Sequence, residues 1–260
     1  MPGGLCCTKP FRGLSGEISF LKNKSHPVIL ENKARDYNDM RKHFRAVLFD
    51  LDGTLLDTLG DIAESANAAL DRLGLPGWPV EAYRNFIGDG VENLARRIMP
   101  AEQHEPGMLQ QFGQLFREEY GRRWTHSTQP YPGIPELLET LTAQQIPMAV
   151  LSNKPDEFTQ QCVRRFLSRW PFRMVQGDRP GQPRKPDPTG ALQMAEALGT
   201  PPEATVYLGD TKTDMQTAQA AGMFAVGALW GFRTAEELLA HGAQRLLNHP
   251  LELLPLLEGV

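Results

Sequence analysis

The stretch Ala46-Val47-Leu48-Phe49-Asp50-Leu51-Asp52-Gly53-Thr54-Leu55 decides how the rest of the chain is read. Four apolar residues, too few for a helix, are followed at once by two carboxylates and a glycine. A short, continuously apolar run of this kind reads as a strand buried on both faces, as in a parallel sheet. In extended backbone, residues two apart share a side, so Asp50 and Asp52 point the same way. Gly53 lets the chain turn away behind them.

Working outward, Met148–Leu151, Met174–Val175, Val206–Leu208 and Phe224–Val226 are further short apolar runs. Between most of them lie helical patterns. Ile134, Leu137, Leu138 and Leu141 recur at helical spacing, as do Phe158, Cys162 and Phe166. Ala191, Leu192, Ala195 and Leu198 do the same, and Gly199 follows as a stop. Strands alternating with amphipathic helices predict a doubly wound, mostly parallel α/β sheet, Rossmann-like in layout. Ligands of such sheets sit beyond the carboxyl ends of the strands.

The alternation fails between Thr58 and about Ser127, where no strand is expected. Thr58 with Asp61 suggests an N-cap and a capping-box variant. Ile62, Ala66, Ala69, Leu70 and Leu73 form one helical face that Gly74 ends. Met108, Phe112, Leu115, Phe116 and Tyr120 form another. Tyr83–Ile87 and Val91–Met99 suggest shorter helices split by Gly88-Asp89-Gly90. Residues 58–127 are therefore expected to be an inserted all-helical subdomain, with 40–57 and 128–260 forming the α/β core.

Three further strand ends carry chemistry. Ser152-Asn153 offers a hydroxyl and an amide to an anion. Lys185-Pro186-Asp187-Pro188 sets a lysine in a proline-held loop, where a point charge can meet phosphate. Gly209-Asp210-Thr211-Lys212-Thr213-Asp214 follows Val206–Leu208. A helix starting near Lys212 would turn Asp210 and Asp214 toward one cavity. With Asp50 they would make an oxygen-rich site suited to Mg²⁺.

The order of these four features resembles the haloacid dehalogenase superfamily of phosphotransferases, over about residues 45–255. Asp50 through Thr54 match its first motif, Ser152 the second, Lys185 the third, and Asp210 with Asp214 the fourth. The detailed wording, from Phe49-Asp50-Leu51-Asp52-Gly53-Thr54-Leu55-Leu56-Asp57-Thr58 to Ser152-Asn153-Lys154-Pro155 and Trp230-Gly231-Phe232, is similar to phosphoglycolate phosphatase-like enzymes. The resemblance implies Asp50 as nucleophile, Asp52 as general acid and base, and Ser152 and Lys185 as phosphate-stabilising groups. It implies Mg²⁺ on Asp50, the Asp52 carbonyl and Asp210, with Asp214 a further ligand or an acceptor that orients Lys185. Gly53, Thr54, Ser152, Asn153 and Lys185 are expected around the phosphate, and the helical insert as a cap with Gly88, Asp89 and Gly90 facing substrate. Arg96 and Arg97 are candidates for a substrate carboxylate. The substrate implied is a small phosphorylated metabolite, 2-phosphoglycolate first. A sugar-phosphate mutase and a phosphoacceptor signalling domain remain open alternatives; the latter needs neither Asp52 nor a cap.

Composition bounds the rest. Lys and Arg number 27 against 31 Asp and Glu, a net charge of −4, which disfavours nucleic acid or an anionic membrane as main partner. Three cysteines, Cys6, Cys7 and Cys162, make neither a disulfide framework nor a zinc set, so a reducing, cytoplasmic setting is expected. No run approaches a membrane span. Residues 1–39 match none of these patterns and are expected to lie outside the core, with Met40 a candidate later start. Oligomeric state is not legible.

Overall fold

A computed structural model describes residues 44–257. The expectations for residues 1–39, including Cys6 and Cys7, fall outside them. The first strand, β1 (Ala46–Phe49), is followed by two short strands, β2 (Leu56–Asp57) and β3 (Gln129–Pro130), which pair antiparallel with each other. The remaining strands are β4 (Met148–Pro155), β5 (Phe172–Asp178), β6 (Thr205–Gly209), β7 (Phe224–Ala228) and β8 (Arg245–Leu247). Six of them form one parallel sheet in the order β5-β4-β1-β6-β7-β8. β1 is central. The chain builds outward from it first through β4 and then, in the other direction, through β6. The carboxyl ends of β1, β4 and β6 thus flank a topological switch point, the place where open α/β sheets bind ligands.

Burial explains why β1 is apolar throughout. Val47 and Phe49 pack with Leu137, Leu138 and Leu141 on one face of the sheet, while Ala46 and Leu48 pack with Ala191, Met194 and Met215 on the other. Helices cover both faces: α4 (Ile134–Ala143) and α5 (Asp156–Phe166) on the first, α6 (Thr189–Leu198) and α7 (Lys212–Ala221) on the second. Gly199 ends α6 in the left-handed region at φ +66°, as its position suggested.

Between β2 and β3 the chain is helical. It runs through α1 (Leu59–Arg72), a 3₁₀ turn at Val80–Asn85, α2 (Val91–Ile98) and α3 (Pro106–Arg123). These elements bury their own core, including Ile62, Leu70, Tyr83, Leu94, Phe112 and Tyr120. The expected Thr58–Asp61 cap does not form. Thr58 precedes α1 without a side-chain cap bond, and its buried hydroxyl has no partner. Asp61 instead reaches across to the returning strand. Its carboxylate accepts from the Ser127 N–H (2.8 Å) and hydroxyl (2.7 Å) and from the Thr128 N–H (3.0 Å) and hydroxyl (2.7 Å). One buried carboxylate thus pins the outgoing and incoming connections together. Asp61→Ala should cost about 2–4 kcal/mol in chemical denaturation, because it strands buried donors that bonded a charge. A loss under about 0.5 kcal/mol would show that the connections hold without it.

No helix among the described residues is long and apolar enough to cross a membrane.

Candidate active site

The loop after β1 is wound tightly on itself. The Leu55 and Leu56 N–H groups both donate to the Leu51 carbonyl, at 3.0 and 2.9 Å, and the Gly53 N–H donates to Leu56 O at 2.9 Å. Gly53 has φ +85°, and a Cβ there would lie 2.2 Å from Asp210 Oδ2, so no other residue fits. Asp50 is 6% exposed and sits at the mouth of the sheet. Register brings the other carboxylates to it: Phe49 lies beside Leu208 of β6, and the Asp50 N–H donates to Leu208 O at 2.9 Å.

Asp50, Asp210 and Asp214 each present an oxygen within 4.8 Å of the others, and all three are buried. Asp210 is oriented by the Thr54 hydroxyl (3.0 Å) and the Phe232 N–H (2.8 Å). Lys185 donates to Asp50 (2.9 Å) and to Asp214 (2.6 Å). Burial, then the Asp214 charge, pushes the Asp50 carboxyl up to about 7 despite Lys185. Burial, with the charges of Asp50 and Asp214, also holds Asp210 well above the usual carboxylate range. For Lys185, burial works against the charge, but Asp214 and Asp50 outweigh it and keep the ammonium well above the ordinary lysine range. Three close carboxylates facing one lysine are short of positive charge, and a hard divalent cation with oxygen ligands fits that deficit.

A second cluster stands on the rim. Asp52 is held by Lys154, whose Nζ lies 2.9 and 3.1 Å from its two oxygens. Lys154 is buried, with its ammonium 4.5 Å from the centre of the Tyr120 ring of α3. Burial alone would lower this lysine, but the Asp52 charge outweighs it and holds the ammonium above the usual range. Ser152 lies beside them and accepts from the Lys154 N–H at 3.2 Å. The Asn153 amide donates to Gly88 O (3.2 Å) and Lys185 O (3.1 Å), linking the helical segment to the lysine loop.

Asp50, Asp52, Ser152, Asn153, Gly88 and Gly90 line one narrow cavity of about 60 Å³. Several other expected residues are committed elsewhere. Asp89 accepts from Thr213 and pairs with Arg97, so it latches the 87–90 turn to the sheet domain and does not line that cavity. The Thr54 hydroxyl belongs to Asp210 and the Gly53 N–H to Leu56, which makes both residues loop builders. Asp214 spends one oxygen on Lys185 and the other on the Thr211 N–H (3.0 Å) and hydroxyl (2.7 Å). It therefore holds Lys185, while it also remains one of the three carboxylates close enough to share a cation. The Asp52 side chain faces Lys154. Arg96 pairs with exposed Glu92, and Arg97 with Asp89 and the Phe86 carbonyl, so neither is free for a substrate carboxylate.

Two groups were not anticipated. Lys154 lies beyond the apolar run Met148–Leu151, and the strand continues through it to Pro155. Extending its period by one step from Ser152 would have found it, since residues two apart share a side. Arg233 is 8% exposed and donates to the Arg84 and Ile87 carbonyls of the helical segment, the latter at 2.7 Å. Arg84 returns the contact to Gly231 O at 3.0 Å. No local pattern announces either bond.

The haloacid dehalogenase-like hydrolase family model matches residues 47–228. A Chromobacterium violaceum phosphoglycolate phosphatase is 32% identical over 84% of this chain and 98% of its own length. One from Aquifex aeolicus is 34% identical over 83% and 97%. The crystal structure of a candidate phosphoglycolate phosphatase from Lactobacillus delbrueckii subsp. bulgaricus superposes with a TM-score of 0.78 at 29% identity, covering 83% of this chain and 98% of that one. The chain belongs to the haloacid dehalogenase-like hydrolase family. Its resemblance within that family is to phosphoglycolate phosphatases.

Proposed function

We propose that this chain is a Mg²⁺-dependent phosphatase that hydrolyses a small phosphomonoester, 2-phosphoglycolate, through a phosphorylated Asp50. The observation that carries this reading is the pairing of two differently equipped aspartates on one cavity wall. Asp50 lies among charges suited to a phosphoryl group, and Asp52 stands two residues on beside a lysine. An Asp50 oxygen attacks phosphorus, the bond to the ester oxygen breaks, and Asp52 gives the departing alkoxide its proton. Water then attacks the same phosphorus, Asp52 takes its proton back, and the bond to Asp50 breaks. Lys185 and the Ser152 hydroxyl place positive charge and a donor beside the equatorial oxygens, where negative charge spreads in the transition state. Asp50, the Asp52 carbonyl and Asp210 would hold Mg²⁺, which would supply Lewis-acid charge against the repulsion between carboxylate and phosphate.

The cavity supports a compact ester. Its space of about 60 Å³ corresponds to roughly four to six water-sized volumes. The names of the relatives support phosphoglycolate in particular.

Initial rates on a panel of phosphate esters test the reading. With Mg²⁺, 2-phosphoglycolate should exceed a generic aryl phosphate at least about tenfold in kcat/KM, a gap of about 1.4 kcal/mol. EDTA should stop turnover, and added Mg²⁺ should restore it. Equal rates on the two esters would overturn the substrate, and full activity in EDTA would overturn the metal.

A further inference from the structure

We propose that Lys154 selects the substrate by binding a carboxylate on the leaving group, next to the ester oxygen that Asp52 serves. This rests on the reading of Asp50 as the phosphoryl end of the cavity. The cavity lining is part polar and part apolar. Asp50, Asp52, Ser152, Asn153 and Lys154 are its polar lining, and Ile62, Ile87, Val91, Leu94 and Phe116 make the rest mainly apolar. Among the described residues lining it, Lys154 carries the only positive charge. The arginines nearby are committed: Arg97 to Asp89, Arg84 to Glu81 and Gly231 O, Arg233 to backbone carbonyls, and Arg184, which stands against Gly90, to Asp178. An anionic leaving group entering this space therefore meets one partner or none.

The geometry also fixes where that anion must be carried. Asp52 has to come within hydrogen-bond reach of the ester oxygen, and the Lys154 ammonium is 2.9 Å from Asp52. A carboxylate one carbon from the ester oxygen is short enough to reach that ammonium. An ammonium has three donors. Two point to the oxygens of Asp52, and the Tyr120 ring lies on another side of the same ammonium. Lys154 stands on β4 with the Tyr120 ring 4.5 Å from its charge, so its position is set before a ligand arrives.

The test compares wild type, Lys154→Met, Lys154→Gln and Lys154→Arg on three esters. Two have a carboxylate one carbon from the ester oxygen, 2-phosphoglycolate and 2-phospholactate. The third, 2-hydroxyethyl phosphate, is similar in size and has a neutral leaving group. Wild type should favour the carboxylated esters by roughly 10–100-fold in kcat/KM, the scale of one charge-assisted hydrogen bond. The Met and Gln variants should lose about tenfold or more of that preference, mainly through KM, whatever their absolute rates. The Arg variant should keep it within about threefold. A wild-type enzyme with no preference overturns the proposal, even if every variant fails to fold. A preference unchanged in Lys154→Met or Lys154→Gln overturns it as well, because Lys154 would then only hold Asp52. Selective hydrolysis of 2-phospholactate without 2-phosphoglycolate would sink the glycolate assignment and leave the role of Lys154 standing.

Discussion

Asp50→Asn is expected to abolish turnover, by roughly 10⁴-fold or more, the scale on which enzymes lose their nucleophile. The amide is close to isosteric but cannot form the acyl phosphate. The same change should stabilise the metal-free protein, which separates loss of chemistry from loss of fold. Asp50 is buried against Asp210 and Asp214, and burial with the Asp214 charge pushes it up to about 7. A carboxyl raised in the native state binds more protons than its unfolded counterpart between about pH 4 and pH 7. Stability is therefore greatest below that window and is lost as pH rises through it. A shift of this size is worth on the order of a few kcal/mol. In EDTA, the wild-type Tm should fall between pH 5 and pH 8; Asp50→Asn should flatten the fall and raise the Tm at pH 8. Asp210, raised in the same direction, keeps part of the slope. Scanning calorimetry across pH, with phosphate release measured on the same samples, checks both halves. Turnover near wild type in a contamination-free Asn variant would remove Asp50 as the nucleophile.

Asp52→Asn is expected to cost 10²- to 10⁴-fold, the usual contribution of a positioned acid or base. The two half-reactions should respond differently to the leaving group. An alkoxide needs a proton to depart, whereas an aryloxide leaves without one. With an aryl phosphate the variant should therefore release a burst of phenol about equal to the enzyme present, then stall, because no base activates the water. An alkyl ester should give no burst. Rapid-quench kinetics on the two substrates distinguish these outcomes. Steady-state rates within about threefold of wild type on the alkyl ester would show that Asp52 is not the proton carrier. Lys154 makes the experiment sharper, since its ammonium can keep a contact to the amide oxygen of Asn at the same place.

The sheet was legible because its signal is local. Each of β1, β4, β6 and β7 is an apolar run, and the residues that follow are the ones a strand end exposes. The helical segment was legible for the same reason, through faces such as Phe112, Phe116 and Tyr120. β8 was not, because Arg245-Leu246-Leu247 is too short to show a period. The two-residue strands β2 and β3 have no signature of their own and exist only as partners of each other.

At the site, the sequence marks which side chains gather: Asp50, Asp52 and Asp210 stand just beyond strand ends, Lys185 in a loop, Ser152 past the apolar part of β4, and Asp214 in the first turn of α7. Tertiary structure alone decided how they divide the work. It gave Asp214 to Lys185, Thr54 to Asp210, Asp89 to Thr213, and Lys154 to Asp52 across 102 residues of chain. The physical reason is that strand ends are written in short-range hydrophobic pattern. Which donor meets which acceptor depends instead on sheet register and on how the helical segment seats over the cavity, distances that no local period encodes.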